Sequence, residues 1–261
     1  MFRTITAALA AMTFGLAAQG AMADVLTVGA YSTNPPWEFK NENSEFEGFE
    51  VDLVKAIGQK LGMDVEFVDL GFQALFAATS SGRIDMAIST ITITNERLQS
   101  QAFTQGYFDS DLALISKADG VESLAAMKGQ PVGVLSSSVA EAWARANAEA
   151  QGFSEIRGYT EQQGLLLDVR AGRIAGAIGD LAGYQYAFAK MPDLAILDRI
   201  PTGDRFAIML PKGSDKLGPV NDAVSELKRD GTLAALHEKW LGAVAEEGTS
   251  TVTVLDIPQA E

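Results

Sequence analysis

A run of hydroxyl side chains that leads to an arginine is the part of this sequence best suited to bind a small polar ligand. The hydroxyls follow a short apolar segment, 86–88, at Ser89, Thr90, Thr92 and Thr94. Thr94 is predicted to cap a helix beginning at Asn95, because its oxygen can accept a hydrogen bond from a free N–H group of the first turn. Arg97 then lies in the first turn of that helix, close to the hydroxyls.

Arg97 has an unusual place for a cation, since the start of a helix carries a partial positive charge. A guanidinium binds a carboxylate through two parallel hydrogen bonds, and the free N–H groups at a helix start add to such a site. One interpretation is therefore that Arg97 binds an anionic group of a ligand. The other is that it pairs with a surface acid such as Glu96 or Asp109, while the threonines simply favour a strand. This stretch alone leaves both open.

The N-terminal segment has the pattern of a secretory signal peptide. Arg3 precedes an apolar run too short to cross a bilayer, and Ala21 and Ala23 flank Met22 as at a cleavage site. We expect cleavage near Ala23 and a mature chain that starts near Asp24. The predicted location is the periplasm, with full secretion as the alternative.

The composition excludes several kinds of site. The chain of 261 residues has no cysteine and one histidine, so disulfides, thiolate sites, Cys–His triads and most zinc sites are not expected. No metal and no other cofactor is predicted. The formal net charge of −14 argues against a nucleic-acid partner, because phosphates need a basic surface. A single arginine can still bind a carboxylate inside an acidic protein.

Alternating strands and helices predict an α/β fold with parallel sheets. The predicted strands are 25–29, 65–68, 86–89, 112–116, 132–135, 155–159, 174–178, 194–197 and 206–210. The predicted helices are 49–61, one from Phe72, one carrying Arg97, 121–127, 139–150, 161–171, 181–190, and two stretches within 220–240 separated near Asp230. Ser138 and Glu141 have the spacing of a capping box for the helix 139–150.

An internal repeat indicates two similar halves. Residues 81–88, SGRIDMAI, recur as AGRIAGAI at 171–178, with five of the eight positions identical. Each copy places a helix end before a buried strand, which predicts two α/β lobes. Ligands of open parallel sheets bind beyond the carboxyl ends of the strands, here Ser89-Thr90 and Gly179-Asp180.

The two strand ends offer opposite charges. Arg97 and Asp180 together would suit a molecule that carries one carboxylate and one ammonium group. Asp180 could instead serve only as the N-cap of the helix that starts at Leu181, which is the commoner role for an aspartate at this position. A carboxylate whose second oxygen is free could do both.

Six motifs resemble, in order, those of periplasmic amino-acid-binding proteins in the family 3 solute-binding group, the soluble receptors of ABC importers. They are PPWEF at 35–39, GFEVDL at 48–53, SGRID at 81–85, TITNER at 92–97, KGQPVGV at 128–134 and DGT at 230–232. The resemblance covers about 25–242, which is the mature chain except its tail.

The resemblance implies a two-lobed periplasmic-binding-protein fold of type II, with parallel-rich sheets flanked by helices and two hinge strands. Residues 1–23 would be the signal peptide, 24–110 the first part of lobe 1, 111–205 lobe 2, 206–242 the return of lobe 1, and 243–261 a C-terminal tail. The hinge crossings would fall near 109–112 and 204–207. The tail is expected to wrap lobe 1 or to add an edge strand.

The resemblance also implies roles for the residues that would hold the backbone groups of an amino acid. Arg97 would bind the α-carboxylate, assisted by Thr92 and by a backbone amide near Val139, where Ser138 begins a helix. Asp180 would bind the α-ammonium. Two hydroxyls would help Asp180, those of Ser89 and Thr90.

The side chain of the ligand would meet a different set of residues. Phe72 would cover its aliphatic stem, and Leu135 would line the pocket. Tyr31 stands where related receptors of basic amino acids carry an acid, and Asn34 where an aromatic usually stacks opposite Phe72. A polar, uncharged side chain that Tyr31 and Asn34 can hydrogen-bond is therefore expected, rather than that of lysine or arginine.

The predicted function is capture of a polar amino acid between two lobes and its delivery to the membrane permease of an ABC importer. The protein is expected to be a monomer and not an enzyme. The alternative is an enzyme on the same scaffold that resembles cyclohexadienyl dehydratases. Such an enzyme needs a further acid in the cleft, and Glu38 or Asp109 could be proposed. His237, the single histidine, is expected to be structural.

Overall fold

Strands and helices alternate through most of the structure, a computed structural model that describes residues 24–261. The strands are β1 Val25–Ala30, β2 Thr33–Asn34, β3 Glu38–Lys40, β4 Phe46–Glu47, β5 Asp64–Asp69, β6 Met86–Ala87, β7 Gln101–Phe103, β8 Phe108–Lys117, β9 Pro131–Leu135, β10 Glu155–Tyr159, β11 Gly176–Asp180, β12 Leu194–Phe206 and β13 Met209–Pro211. The helices are α1 Phe49–Leu61, α2 Phe72–Ser80, α3 Asn95–Ser100, α4 Val139–Ala146, α5 Ala148–Gln151, α6 Gln162–Arg170, α7 Leu181–Phe188, α8 Leu217–Arg229 and α9 Thr232–Leu241. The predicted signal peptide, 1–23, lies outside the described residues.

Two five-stranded sheets form the framework. The first has the order β5-β1-β6-β13-β7, and β1 runs parallel to both β5 and β6. The second has the order β10-β9-β11-β8-β12, and β9 runs parallel to both β10 and β11. The strands β8, β12 and β13 join antiparallel. The sheets are therefore mixed but rich in parallel pairs, as the alternation of strands and helices predicts.

Helix α1 shows why the sequence pattern predicts the elements of the first sheet. Leu53, Val54 and Ile57 make one apolar face, and each is fully buried. Gly62 ends the helix with a φ of 68°, which a residue without a Cβ adopts at little cost. The predicted bounds 49–61 are confirmed.

Two long antiparallel strands connect the sheets. The chain leaves the first sheet after β7 and enters the second along β8. It returns along β12, where Asp204 pairs with Ser110 and Arg205 with Asp109. The paired segment contains most of both predicted hinge crossings, 109–112 and 204–207. The lobe boundaries themselves stay a prediction.

Some predicted elements are wrong in length because side chains take over backbone partners. The predicted helix 121–127 is only a short 3₁₀ turn, Ala125–Met127, since the N–H of Leu124 donates to the carboxylate of Asp198. The predicted helix 139–150 is interrupted at Asn147, whose φ and ψ are −106° and 7° and whose side-chain amide shares the carbonyl of Trp143 with its own backbone N–H. Such local hydrogen bonds compete with the regular helical pattern.

Two predicted strands near the cavity also differ. The strand 86–89 ends at Ala87, because Ser89 and Thr90 have φ angles of 143° and 48°. The strand 194–197 is instead the start of the 13-residue β12, which runs through Pro201. The pairing of β12 with β8 shifts register between Ile200 and Asp204, and such an irregularity accommodates a proline that cannot donate to a ladder.

The C-terminal tail packs against helix α8 and the start of strand β8 without adding a strand. Ser250 donates to the carboxylate of Asp109 through both its N–H and its hydroxyl group. The carbonyl of Thr253 accepts a bond of 2.8 Å from Lys228, and the N–H of Leu255 donates to Gln105 at 2.9 Å. Burial lowers the pKa of Lys228 to about 8. The tail therefore supplies partners to the buried side chains of Lys228 and Gln105 and to the exposed Asp109 of β8.

Deletion of 249–261 should destabilise the protein. Asp109 would lose two donors and Lys228 one acceptor, so we expect the free energy of unfolding to fall by about 2–4 kcal/mol at about 1 kcal/mol for each lost bond. Urea unfolding of the folded chain measures the change. Deletion of only 257–261 is the control, and an equal loss in both truncations would contradict the role of Ser250 and Thr253.

No helix within residues 24–261 has both the length and the apolar character needed to cross a bilayer.

Candidate ligand-binding site

A cavity lies between the two sheets, at the carboxyl ends of their strands. It contains about 660 Å³ of space that no protein atom fills, its mouth included. The structure brings all eleven predicted site residues to its wall: Tyr31, Asn34, Phe72, Ser89, Thr90, Thr92, Arg97, Leu135, Ser138, Val139 and Asp180.

Arg97 is held with its guanidinium between the two sheets. Thr94 caps α3 by accepting a bond from the N–H of Arg97 at 3.1 Å, as predicted. The guanidinium donates to the carbonyls of Thr92 at 2.8 Å and Ser137 at 3.0 Å, and lies 4.9 Å from the ring centre of Phe76. These contacts fix the plane of the guanidinium, and none of them neutralises its charge.

The pairing of Arg97 with a surface acid is not observed. Within residues 24–261 no carboxylate lies within 4.0 Å of its guanidinium nitrogens, and Asp109 pairs with Arg205 instead. Burial lowers the pKa of Arg97 to about 10, so the group remains charged at neutral pH. A partly buried cation without a counter-ion favours binding of an anion in the cavity.

Asp180 is both the N-cap of α7 and a member of the cavity wall. One carboxylate oxygen accepts bonds from the hydroxyl of Ser110 at 2.6 Å and the N–H of Ala182 at 3.2 Å. The other accepts bonds from the indole of Trp37 at 3.0 Å and the N–H of Gly183 at 2.8 Å. The predicted capping role is confirmed, but the free second oxygen is not observed in this conformation. Burial raises the pKa of Asp180.

Two further aspartates, which the sequence did not predict as site residues, line the cavity. Asp111 is neutralised by Arg199 and also accepts the N–H groups of Thr202 and Gly203 at 2.9 Å. Asp204 is within ion-pair distance of no cation in the described part of the chain. Burial raises the pKa of Asp204, the charges of Asp111 and Asp180 raise it further, and Arg97 opposes them.

Three hydrogen-bonded contacts join the two sides of the cavity. Arg97 reaches Ser137, and Trp37 reaches Asp180. The hydroxyl of Tyr31 donates to Glu161 at 2.9 Å and accepts the N–H of Gln162 at 2.9 Å. The cavity is therefore seen with its sides drawn together. The Tyr31 hydroxyl, expected to bond the ligand, is already used in this contact, and burial raises its pKa to about 12.

The remaining predicted residues close the cavity with apolar surface and backbone. Phe72 is nearly buried and packs edge-on against Phe76 with ring centres 5.6 Å apart. Ser138 accepts the N–H of Glu141 at 3.2 Å and so caps α4 in front of Val139. The reciprocal half of the predicted capping box is displaced by one residue, because Glu141 accepts the N–H of Ser137 at 2.7 Å.

The acids proposed for a dehydratase do not line the cavity. Glu38 is fully buried behind it, and Asp109 contacts the tail on the outside of β8. His237 stacks on Phe108, and its Nδ1 lies 2.7 Å from the carbonyl oxygen of Ala243. Residues 24–261 contain no cluster of three or more histidine, cysteine or acidic side chains arranged to hold a metal ion.

Comparison with known proteins identifies similar chains over most of the length. The L-cystine-binding protein TcyJ of Escherichia coli is 32% identical over 223 residues, which cover 84% of this chain and 83% of that protein. A solved ancestral arginine-binding protein, bound to arginine, is 34% identical with a TM-score of 0.79, over 85% of this chain and all of the other.

A third similar protein bears on the enzyme alternative. It is a solved ancestral amino-acid-binding protein described as a precursor of cyclohexadienyl dehydratase. It is 28% identical with a TM-score of 0.74, over 83% of this chain and 95% of that one. Its own description is of a binding protein.

The pattern of the bacterial extracellular solute-binding proteins, family 3, matches residues 26–243, which is nearly the whole described chain. With its two mixed sheets and the cavity between them, this chain belongs to that family.

Proposed function

We propose that this protein captures an α-amino acid between its two sheets and delivers it to the membrane permease of an ABC importer. The observation that carries the proposal is the placement of Arg97 and Asp180, one from each half of the chain, on the wall of one cavity. The α-carboxylate binds Arg97 and the α-ammonium binds Asp180. The periplasmic location, the permease, the monomeric state and the absence of catalysis are parts of the same proposal.

The ligand stabilises the closed arrangement because its two charges are held by different halves. When the sides separate, each charged group is hydrated and the ligand gains from only one of them. The closed state excludes water, which strengthens both contacts. The difference in affinity between the two states shifts the equilibrium towards closure. Contacts such as that between Arg97 and Ser137 then add to the closed state.

The ammonium group reaches Asp180 by replacing a donor. The carboxylate already accepts four bonds, which matches its usual capacity of about four. Ser110 is the donor that can turn away, since a hydroxyl rotates freely, whereas the indole of Trp37 and the backbone amides are fixed. The ligand ammonium therefore takes the place of the Ser110 hydroxyl on Asp180.

Asp204 changes the expectation for the ligand side chain. A zwitterion neutralises Arg97 and Asp180, and Arg199 neutralises Asp111, which leaves Asp204 unpaired in the cavity. We propose that a cationic or N–H-bearing side chain binds there, and that charge balance favours the cationic class over the neutral one. The names of two similar proteins, for L-cystine and for arginine, agree with a ligand that has a second nitrogen group.

The function is tested by thermal-shift screening of the purified mature protein against the common amino acids and cystine, followed by calorimetry. A ligand that binds only the folded protein raises the melting temperature. Prephenate and arogenate are included, with analysis of product, to test the enzyme alternative. Binding of no amino acid, or conversion of either compound, would contradict the proposed function.

Asp204→Asn tests the class of side chain. The neutral amide keeps the shape of the side chain but removes its charge, so the affinity for cationic amino acids should fall at least about tenfold, or about 1.4 kcal/mol. Affinities for glycine and alanine should change less than about threefold, because they carry no group that reaches Asp204. Calorimetry at neutral pH measures both. An equal loss for all ligands would mean that Asp204 acts through the overall electrostatic field of the cavity and does not contact the ligand side chain.

A further inference from the structure

Two acidic side chains lie buried directly behind the ammonium side of the cavity. Glu38 comes from β3 and Glu50 from the first turn of α1, and both are fully shielded from solvent. Both bond to the same part of the chain, because Glu38 accepts the amide of Asn34, which also bonds to the Thr90 hydroxyl, and Glu50 accepts the N–H of Thr90. Within residues 24–261 neither forms an ion pair with a basic side chain. No basic side chain among these residues therefore balances the charge of the pair.

The two carboxyl groups satisfy each other only if they hold one proton between them. Each has one oxygen, Oε2, that no donor in the described chain reaches. Two ionised carboxylates buried side by side would repel, whereas a proton on Glu38 removes the repulsion and can give both Oε2 atoms a partner. Burial, and then the charge of Glu50, raises the pKa of Glu38 well above its usual value. The titratable neighbours are Tyr107, which donates to Glu50, and the more distant Asp180.

The other oxygen of Glu50 holds the turn that follows β6. It accepts the N–H of Thr90 at 2.9 Å and of Ser89 at 3.3 Å, and within the described chain these two N–H groups have no other acceptor. Both residues have positive φ angles, 143° and 48°, which are costly for side chains with a Cβ. The hydrogen bonds to Glu50 offset that cost.

The Ser89–Thr90 turn also sets the positions of the polar groups on this wall of the cavity. The hydroxyl of Ser89 accepts the N–H of Tyr31 at 3.0 Å. The amide of Asn34 donates to Glu38 at 3.1 Å and to the hydroxyl of Thr90 at 3.4 Å. Four cavity residues are therefore tied to the two glutamates, although neither glutamate lines the cavity itself.

We propose that Glu50, paired with Glu38 through one shared proton, is a positioning residue that holds the Ser89–Thr90 turn in its binding conformation. The proposal rests on the proposed function for its consequence, the affinity for an amino acid. Its first step, the control of the turn, does not depend on any ligand.

The pair of variants Glu50→Ala and Glu50→Gln separates positioning from packing. Alanine leaves the N–H groups of Ser89 and Thr90 without an acceptor, so we expect the affinity for the amino acid to fall at least about tenfold. Glutamine keeps an oxygen for both N–H groups, and its amide can donate to an ionised Glu38. It should therefore retain the affinity within about threefold. Calorimetry with the amino acid found in the screen measures both.

Leu53→Ala is the matched control for loss of stability. Leu53 lies on the same helix, is fully buried and does not line the cavity. It should keep the affinity within about threefold at a temperature where the variant is folded. Equal losses of affinity in the Leu53 and Glu50 alanine variants would overturn the positioning role.

Amide hydrogen exchange in the ligand-free protein tests the turn independently. In the wild type, the amides of Ser89 and Thr90 should be protected, and in Glu50→Ala they should exchange at least about tenfold faster. Unprotected amides in the wild type would overturn the proposal even if the alanine variant fails to fold. If no amino acid binds the wild type but the exchange result holds, the proposed function fails while the control of the turn stands.

Discussion

Arg97→Ala is expected to weaken binding of the amino acid by at least about 2 kcal/mol, or about thirtyfold in the dissociation constant. The loss is large because the variant leaves the ligand carboxylate in a dry cavity without a cation. In the wild type, the carbonyls of Thr92 and Ser137 hold the guanidinium plane, so little entropy is lost when the carboxylate binds. Titration calorimetry of the two proteins measures the difference.

Two further variants make the Arg97 experiment specific. Arg97→Lys keeps the charge but loses the two-pronged geometry, so its affinity should lie between those of the wild type and the alanine variant. Arg145→Ala is the control, because Arg145 pairs with Glu141, which bonds to Ser137, but does not line the cavity. An unchanged affinity in Arg97→Ala, or an equal loss in Arg145→Ala, would remove Arg97 from the carboxylate site.

The sequence predicts the parts of this site that local pattern determines. Helix α1 and the cap at Thr94 follow from an apolar face and from one hydroxyl at the right spacing. The repeated segment at 81–88 and 171–178 places Ser89 and Asp180 at matching strand ends, and the cavity contains both. Such features depend on residues close in the chain, so they can be read without knowing the fold.

Other parts of the site depend on contacts between distant residues. Asp204 enters the cavity because β12 continues through Pro201 with a shift of register, and the proline and Gly203 hide that strand in the sequence. Glu50 meets Ser89 from 39 residues away, and Tyr31 meets Glu161 from 130 residues away. No local pattern encodes these pairs. In the sequence, the motif GFEVDL at 48–53 is the one sign of the role of Glu50, because it places this acid on the otherwise apolar face of the predicted helix.

Asp180→Asn is expected to cost about 2–5 kcal/mol of binding free energy, because the ligand ammonium then meets a neutral amide inside the closed cavity. The N–H groups of Ala182 and Gly183 bond to different oxygens of Asp180, so the single amide oxygen keeps one of them and the cap of α7 is retained in part. The amide NH₂ group faces either Ser110, which can accept a hydrogen bond, or Trp37, which cannot. The stability of the ligand-free variant should therefore fall as well, and thermal unfolding without ligand measures that loss separately.

Ser110→Ala is the matched comparison for Asp180→Asn, since it removes one donor and leaves the charge of Asp180 intact. If the ligand ammonium replaces the Ser110 hydroxyl, this variant keeps most of the wild-type affinity.

The pH dependence gives a second criterion, because burial raises the pKa of Asp180 and the ionised form is the one that binds. Affinity should fall as the pH decreases through that pKa, and this fall should be smaller in Asp180→Asn. Asp204 also has a raised pKa, so the residual fall in Asp180→Asn should disappear when Asp204→Asn is combined with it. If the affinity of the double variant still falls with pH as in the wild type, another group carries the proton that controls binding. Asp180 would then not be the group that binds the ligand ammonium.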